Sequence, residues 1–516
     1  MLHPHDAHAS SVRGVLEFRA RTSPAADFLI APETGRRLNF GNLLRRSRTI
    51  AAFLAEQGIA AGAHVGLLLP NGLQATRLFV GLAAGGHVVV PLSLLAQAAQ
   101  LAFILGHSDC RAVFVDPARE EVLRTGLASV DRDVRVFVVD PDQALFPGEP
   151  AEASWPAPDS AADTPALLMY TSGTTGQPKG VLLSHRNVLA GARFVSEAHG
   201  LDRTDRVLAV LPLYHINAQV VTVLAPLHHG GSLVMPRRFS AAAFWRLARE
   251  HGCTWLNVVP TMIAYLLQHD GEKTVARGAD RLRFCRSASA PLPPAQQLAF
   301  EERFGVGIIE TMGLTETAAP VLANPLEPSA RKLGSPGRAV GSEARVIDPD
   351  SGAELPVGIT GEIVVRGENV TAAYYKAPEE TAKAFTADGW LRTGDLGYCD
   401  EDGFYFITGR RKELIIKGGE NIAPREIDEV LLAHPLVLEA AAVGVPDPLY
   451  GQDIVAGVVM KPGEVGDEIE LIEFCCHRLG RFKTPQRILL LDELPKGPSG
   501  KVQRLRLLNL ITGGGR

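Results

Sequence analysis

The sequence predicts an α/β protein, with a large N-terminal part of parallel-rich sheets and a small β subdomain, followed by a C-terminal α+β domain. Three observations carry this. Between residues 165 and 316 one unit recurs, a short apolar run, a polar turn and a helical pattern, which is the rhythm of a mainly parallel sheet. After Gly334 the rhythm changes to short runs punctuated by glycine, at 361–367 and 403–409, as in an antiparallel subdomain. Beyond Arg411 about 105 residues remain, enough for a separate domain.

The apolar runs of the parallel part are 165–170, 206–211, 253–259, 282–285 and 306–309. Amphipathic stretches separate them; in 240–251, Phe244, Leu247 and Ala248 share one face and Ser240 stands where an N-cap is needed. An earlier α/β stretch, from 16 to about 140, contains the similar run 65–69 and a Gly-rich segment around 88–90, and is expected to extend the same architecture. The Pro-, Ala- and acid-rich segment 140–163 reads as a surface connection between two subdomains. The C-terminal pattern is a helix near 424–433, strands near 441–445 and 454–460, a helix near 468–479 and a strand near 487–491. We divide the chain into 1–410 and 411–516.

Composition narrows the function. Hydrophobic residues at 46%, charged residues at 21% and a net charge of -5 argue against a nucleic-acid or anionic-membrane binder that relies on its whole-molecule field. Residues 1–10 hold three histidines and no apolar run, so no secretory signal is read there. The most apolar stretch, 78–95, is interrupted by Gly81, Gly85, Gly86, His87 and Pro91, which a membrane span would not tolerate well. The six cysteines lack metal-ligand spacing and fit reduced thiols in a cytoplasmic protein.

The most informative segment is 170–180, Tyr-Thr-Ser-Gly-Thr-Thr-Gly-Gln-Pro-Lys-Gly, expected between a strand and a helix that begins at Ser184. Its small residues let backbone N–H groups approach phosphate oxygens, Thr171, Ser172, Thr174 and Thr175 add hydroxyl donors around Gly173 and Gly176, and Lys179 adds charge. Gly180 after Lys179 distinguishes it from a Walker A loop. Polar clusters follow the other strands: 212–219 with His215, 260–261, 287–291 and 310–316. A parallel sheet brings such strand ends to one crevice, which predicts a nucleotide site with Thr315 and Glu316 near the phosphates. Glu316 would supply a magnesium contact.

On segments 170–180, 211–215, 313–316, 334–337, 389–395, 409–412, 418–421 and 495–501, in that order, the chain resembles the adenylate-forming superfamily of acyl-CoA synthetases, luciferases and adenylation domains, in its acyl-CoA synthetase branch. The resemblance implies ATP, Mg2+ and CoA as reactants and cofactor, and a small carboxylic acid as partner; the sequence leaves a homodimer open. It implies that Lys501 is the catalytic lysine, that Thr315 and Glu316 meet phosphate and magnesium, that Thr311, Met312 and Gly313 lie along the nucleotide, and that Asp395 holds the ribose with help from Arg410. Lys412 takes the hinge position of a mobile C-terminal domain, and Gly418 and Gly419 lie on the CoA path. His215 takes a substrate-positioning place. Met312 stands where many relatives carry an aromatic residue; its sulfur can still contact a base face.

Alone, several of these residues would mean little: Thr-Glu is commonly a capping pair, and a lysine near a C-terminus is commonly solvated. Their joint order gives the expectation of an ATP-dependent carboxylic acid–CoA ligase acting through an acyl-AMP. The alternatives are an enzyme that loads a separate carrier protein, a ligase for short or medium fatty acids, and a dead nucleotide-binding regulator.

The acid is expected to be short and to carry a second polar or anionic group. Ser287, Ala288 and Ser289 would wall the acyl pocket where many relatives have glycine. Asn217 and Gln219 offer amide donors, or cap the following helix. Arg286 reaches a second acid group if its side chain points inward, and the Arg-Ser-x-Ser pattern is similar to ligases of small diacids such as oxalate. Oxalate, malonate and sulfoacetate therefore rank above fatty or aryl acids.

Overall fold

The computed structural model describes residues 9–171, 178–269, 281–497 and 502–512. Two large sheets form the N-terminal part. The first has nine strands, ordered Arg338–Ala339, Ala319–Ala323, Ile308–Leu314, Phe284–Ser287, Trp255–Val258, Arg206–Ala209, Ser232–Val234, Asp27–Ala31 and Arg36–Asn39. Its six central strands run parallel, as the recurring unit requires.

The second sheet has seven strands, and here the expectation of two successive subdomains is corrected. Pro165–Thr171 leaves the later series and pairs with Val88–Pro91, beside His64–Leu68, while Asp27–Ala31 from the early stretch joins the nine-stranded sheet. The sheets exchange strands because apolar periodicity marks a strand without naming its neighbour. One continuous core joins them, with Leu43, Leu78, Val188, Val220 and Phe284 among its buried residues. The opposite face of the nine-stranded sheet packs a second core, including Phe244, Leu256, Cys285 and Phe300.

A four-stranded antiparallel sheet follows, Glu343–Ile347, Gly361–Arg366, Leu391–Cys399 and Tyr405–Arg410. The last sheet lies wholly beyond Arg411. Val437–Asp447 and Gly451–Met460 form its long antiparallel pair, and Arg487–Leu490 adds in parallel. Helices Pro424–Leu432 and Glu468–Lys483 supply Ile427, Leu431, Leu471 and Cys475 to that sheet's own core. No helix among the described residues is long and apolar enough to cross a membrane.

Candidate active site

Of residues 170–180, the structure describes 170–171 and 178–180. Pro165–Thr171 pairs antiparallel with Lys179–Ser184, Thr171 facing Lys179, and only then does helix His185–Ala198 begin. The helix expected to begin at Ser184 begins at His185 with Ser184 as its cap, the hydroxyl accepting from Asn187 N, but the strand Lys179–Ser184 intervenes because Val181 and Leu183 are buried in the core. Lys179 is therefore one strand length away from the helix terminus at Ser184. Ser172, Gly173, Thr174, Thr175 and Gly176 lie outside the described residues. Lys179 pairs with Glu380 of helix Pro378–Ala384 and lies 5.6 Å from the ring centre of Tyr374.

Thr311, Met312 and Gly313 lie on Ile308–Leu314, and the tight turn after it carries Thr315 and Glu316. That turn is pressed against its own strand: a Cβ on Gly313 would stand 1.6 Å from the Ala319 carbonyl oxygen, so only glycine fits. Thr311 Oγ1 donates to the Ser287 carbonyl at 3.3 Å, and Met312 packs towards the four-stranded subdomain.

Tyr374, which no sequence motif singled out, donates its hydroxyl to Glu316 Oε1 at 2.9 Å. Burial and the neighbouring carboxylate push the Tyr374 phenol up, so it remains a donor. The subdomain contributes Asp395, buried, whose Oδ1 accepts from Arg410 Nε at 2.8 Å. Asp395 in turn raises the guanidinium of Arg410, which lies within electrostatic reach of Glu316. Lys179, Tyr374, Glu316, Arg410 and Asp395 thus form one chain of neighbours. Glu316 keeps one carboxylate oxygen, and Thr315 its hydroxyl, without a hydrogen bond among the described residues, an oxygen donor set suited to a hard cation that retains water and phosphate ligands.

The acyl wall lies one strand away. Phe284–Ser287 pairs in parallel with Ile308–Leu314, Arg286 beside Ile309 and Ser287 beside Glu310. Alternation splits the expected wall. Phe284 and Arg286 face the core between the large sheets, whereas Cys285 and Ser287 turn to the opposite face. Ala288 is buried, and Ser289 has a left-handed backbone, φ 74°, with its hydroxyl accepting from Asn217 Nδ2 at 3.2 Å. Asn217 opens a π-helical segment, Asn217–Leu224, directly after His215. His215 is half-buried, its ring 4.5 Å from that of Tyr214. Gln219 is not a pocket donor or a cap: its amide nitrogen donates to the Leu213 carbonyl at 2.6 Å.

Glu310, at the boundary of the two strands, accepts from Leu292 N at 3.0 Å, and burial pushes its carboxyl up to about 7. Gly418 and Gly419 occupy the two-residue turn between Ile415–Lys417 and Glu420–Ile422, φ 57° and 84°, the left-handed pair that such a hairpin turn requires. Lys412 is exposed in the 3-10 turn Arg411–Glu413, which joins the four-stranded sheet to the last one. Lys501 lies outside the described residues; of its neighbours in sequence, Lys496 and Val502 form an isolated antiparallel bridge.

These features coincide with a family match over most of the chain: the AMP-binding enzyme family covers residues 16–375, and its C-terminal domain covers 426–501. The chain belongs to the AMP-binding enzyme family. This AMP-binding enzyme is 56% identical, over 97% of each chain, to the sulfoacetate–CoA ligase of Cupriavidus necator. It is 34% identical to the oxalate–CoA ligase of Arabidopsis thaliana, over 89% of this chain and 90% of that one. Among solved structures it matches ATP-bound MatB from Rhodopseudomonas palustris with a TM-score of 0.90 and 30% identity, covering 97% and 98% of the two chains. Over the same shares the TM-score to apo MatB is 0.79. The arrangement of this chain is therefore nearer that of the ATP-bound form.

Proposed function

We propose that this AMP-binding enzyme is an AMP-forming acid–CoA ligase whose acid is short and bears a second anionic group, sulfoacetate before malonate or oxalate. One observation carries the reading: the strand Phe284–Ser287, which Ala288 and Ser289 follow, is hydrogen-bonded to Ile308–Leu314, which Thr315 and Glu316 follow, so an acid at the end of the first would meet a nucleotide at the end of the second. The carboxylate attacks the α-phosphorus of ATP, pyrophosphate leaves and acyl-AMP forms; the CoA thiol then displaces AMP. In-line attack places charge on nonbridging oxygens, which an ammonium at Lys501 stabilises. Asp395 and Arg410 take the ribose, Thr315 and Lys179 the phosphates, His215 positions the acid and Met312 contacts the base. Glu316 would hold Mg2+, which would supply charge neutralisation at the phosphates.

The division 1–410 and 411–516 is part of this reading. Its support is that Tyr405–Arg410 pairs in the four-stranded sheet and Ile415–Lys417 in the last one, with Lys412 between them. Rotation there would withdraw Lys501 after the first step and bring Gly418 and Gly419 towards the pantetheine path.

The test is ATP-, Mg2+- and CoA-dependent turnover over sulfoacetate, malonate, oxalate, butyrate, octanoate and benzoate, with AMP, pyrophosphate and thioester all measured. Sulfoacetate should give the highest kcat/KM. Octanoate or benzoate winning overturns the acid class, and pyrophosphate release without thioester from free CoA moves the acceptor to a carrier protein.

A further inference from the structure

Arg286 is 2% exposed, and no carboxylate among the described residues pairs with it. Its guanidinium is shifted down to about 9 by burial, with no acid among the described residues near enough to offset the cost. Leaving a buried cation without a counter-ion is strongly destabilising, so the fold retains it against its own stability. Nor is the side chain loose. Arg286 Nη1 donates to Asn217 Oδ1 and to Asn257 Oδ1, both at 3.0 Å, and Asn257 Nδ2 donates to Asn217 Oδ1 at 3.1 Å. Both amide oxygens are thereby aimed at the guanidinium, and Asn217 Nδ2 is left to hold Ser289. Asn257 shares this face because it lies beside Arg286 in the adjacent parallel strand.

With Nη1 engaged, Nε is buried without a partner and Nη2 makes no hydrogen bond among the described residues. Nε and Nη2 form the parallel edge of the guanidinium, the edge that takes two oxygens of one anion side by side. A ligand anion is the missing half of this arrangement, and perturbed buried charges of this kind concentrate where ligands bind.

We infer that Arg286, clamped by Asn217 and Asn257, is the specificity-determining counter-ion for the second anionic group of the acid, a sulfonate or carboxylate at the end remote from the reacting carboxylate. The inference rests on the ligase reading and names what that site selects. A sulfonate suits it best, since it stays ionised when desolvated and offers a third oxygen to a neighbouring donor, whereas an alkyl terminus leaves the guanidinium edge unsatisfied.

Two comparisons test it. The first changes the ligand: methylsulfonylacetate keeps the shape of sulfoacetate and lacks its terminal charge. Wild-type enzyme should bind sulfoacetate, measured by calorimetry without turnover, at least about 100-fold more tightly. The second changes the protein: Arg286→Met should cut kcat/KM for sulfoacetate about 100-fold or more, mainly through KM, while butyrate, which no longer leaves a guanidinium edge unsatisfied, holds or gains; Arg286→Lys should retain part of the preference. Asn257→Leu, which frees the guanidinium without removing it, should cost about 10-fold for sulfoacetate and serves if Arg286→Met does not fold. Equal binding of the two sulfur acids, or an unchanged sulfoacetate-to-butyrate ratio in Arg286→Met, overturns the inference. Turnover of no acid while charge-selective binding persists overturns the ligase reading and leaves the counter-ion in place.

Discussion

At the scale of single residues, charge decides what each group does. Lys501→Ala should abolish adenylation, by about 100- to 1000-fold in pyrophosphate release, and largely spare thioester formation from supplied acyl-AMP, because phosphoryl charge develops only in the first step. Equal loss in both half-reactions would remove the assignment. Tyr374 acts through Glu316, whose carboxylate it holds at 2.9 Å. Tyr374→Phe should raise the Mg2+ concentration needed for half-maximal adenylation several-fold while the KM for the acid stays put; an unchanged Mg2+ dependence would make the contact merely structural. Glu310 bears on stability. Its carboxyl rises from 4.5 to about 7 on folding, so between those values the unfolded chain releases a proton that the folded chain keeps, and its contribution to stability falls as pH rises. Glu310→Gln keeps the acceptor for Leu292 N and cannot ionise. It should gain up to about 3 kcal/mol over wild type above about pH 7 and nothing near pH 4, read from urea midpoints across that range. Parallel pH profiles would refute this.

At the scale of elements, close backbone approach sets the site. Helix His185–Ala198 lies so near the turn after Glu316 that a Cβ on Gly191 would stand 2.2 Å from the Ala318 carbonyl oxygen. The turn is already tight, with Ala318 and Ala319 at φ 45° and 85°. Gly191→Ala should therefore lower stability by about 1–3 kcal/mol and reduce adenylation with it, since displacing the turn displaces Thr315 and Glu316. An unaltered melting temperature would show that the helix can move away. Elements were also where sequence reading was most reliable: helix 424–433 is found as Pro424–Leu432, strand 454–460 as Gly451–Met460, and the helix near 240–251 buries Phe244, Leu247 and Ala248 together. Local periodicity carries that information, because burial of one face repeats along the chain.

At the scale of the whole molecule, the proposed hinge and the match to ATP-bound MatB matter most. On the proposed two-step reaction, a chain whose arrangement is nearer ATP-bound MatB than the apo form would have to rearrange between the steps if one crevice serves both. Lys412 lies in the short turn between two sheets, and proline there fixes φ and removes a backbone donor. Lys412→Pro should slow thioester formation about 10-fold or more and leave pyrophosphate release within about twofold, measured as separate half-reactions. Full overall activity would move the hinge elsewhere.

The sequence by itself determined the motif order, the α/β character, the antiparallel subdomain and the identity of Asp395, Glu316 and Lys412 as candidates. The architecture and Glu316 depend on spacing and local pattern, which the chain carries in one dimension; Asp395 and Lys412 stand as candidates through the family resemblance that the motif order carries. Tertiary structure alone decided that Pro165–Thr171 joins the early sheet, that the strand Lys179–Ser184 precedes helix His185–Ala198, and that Tyr374, 58 residues along the chain, meets Glu316. It also decided the direction of Arg286. Strand alternation states that Arg286 and Ser287 point to opposite faces, and only the packing of Phe284 and Trp255 into the core between the sheets selects which face receives the guanidinium, where Asn217 and Asn257 then hold it.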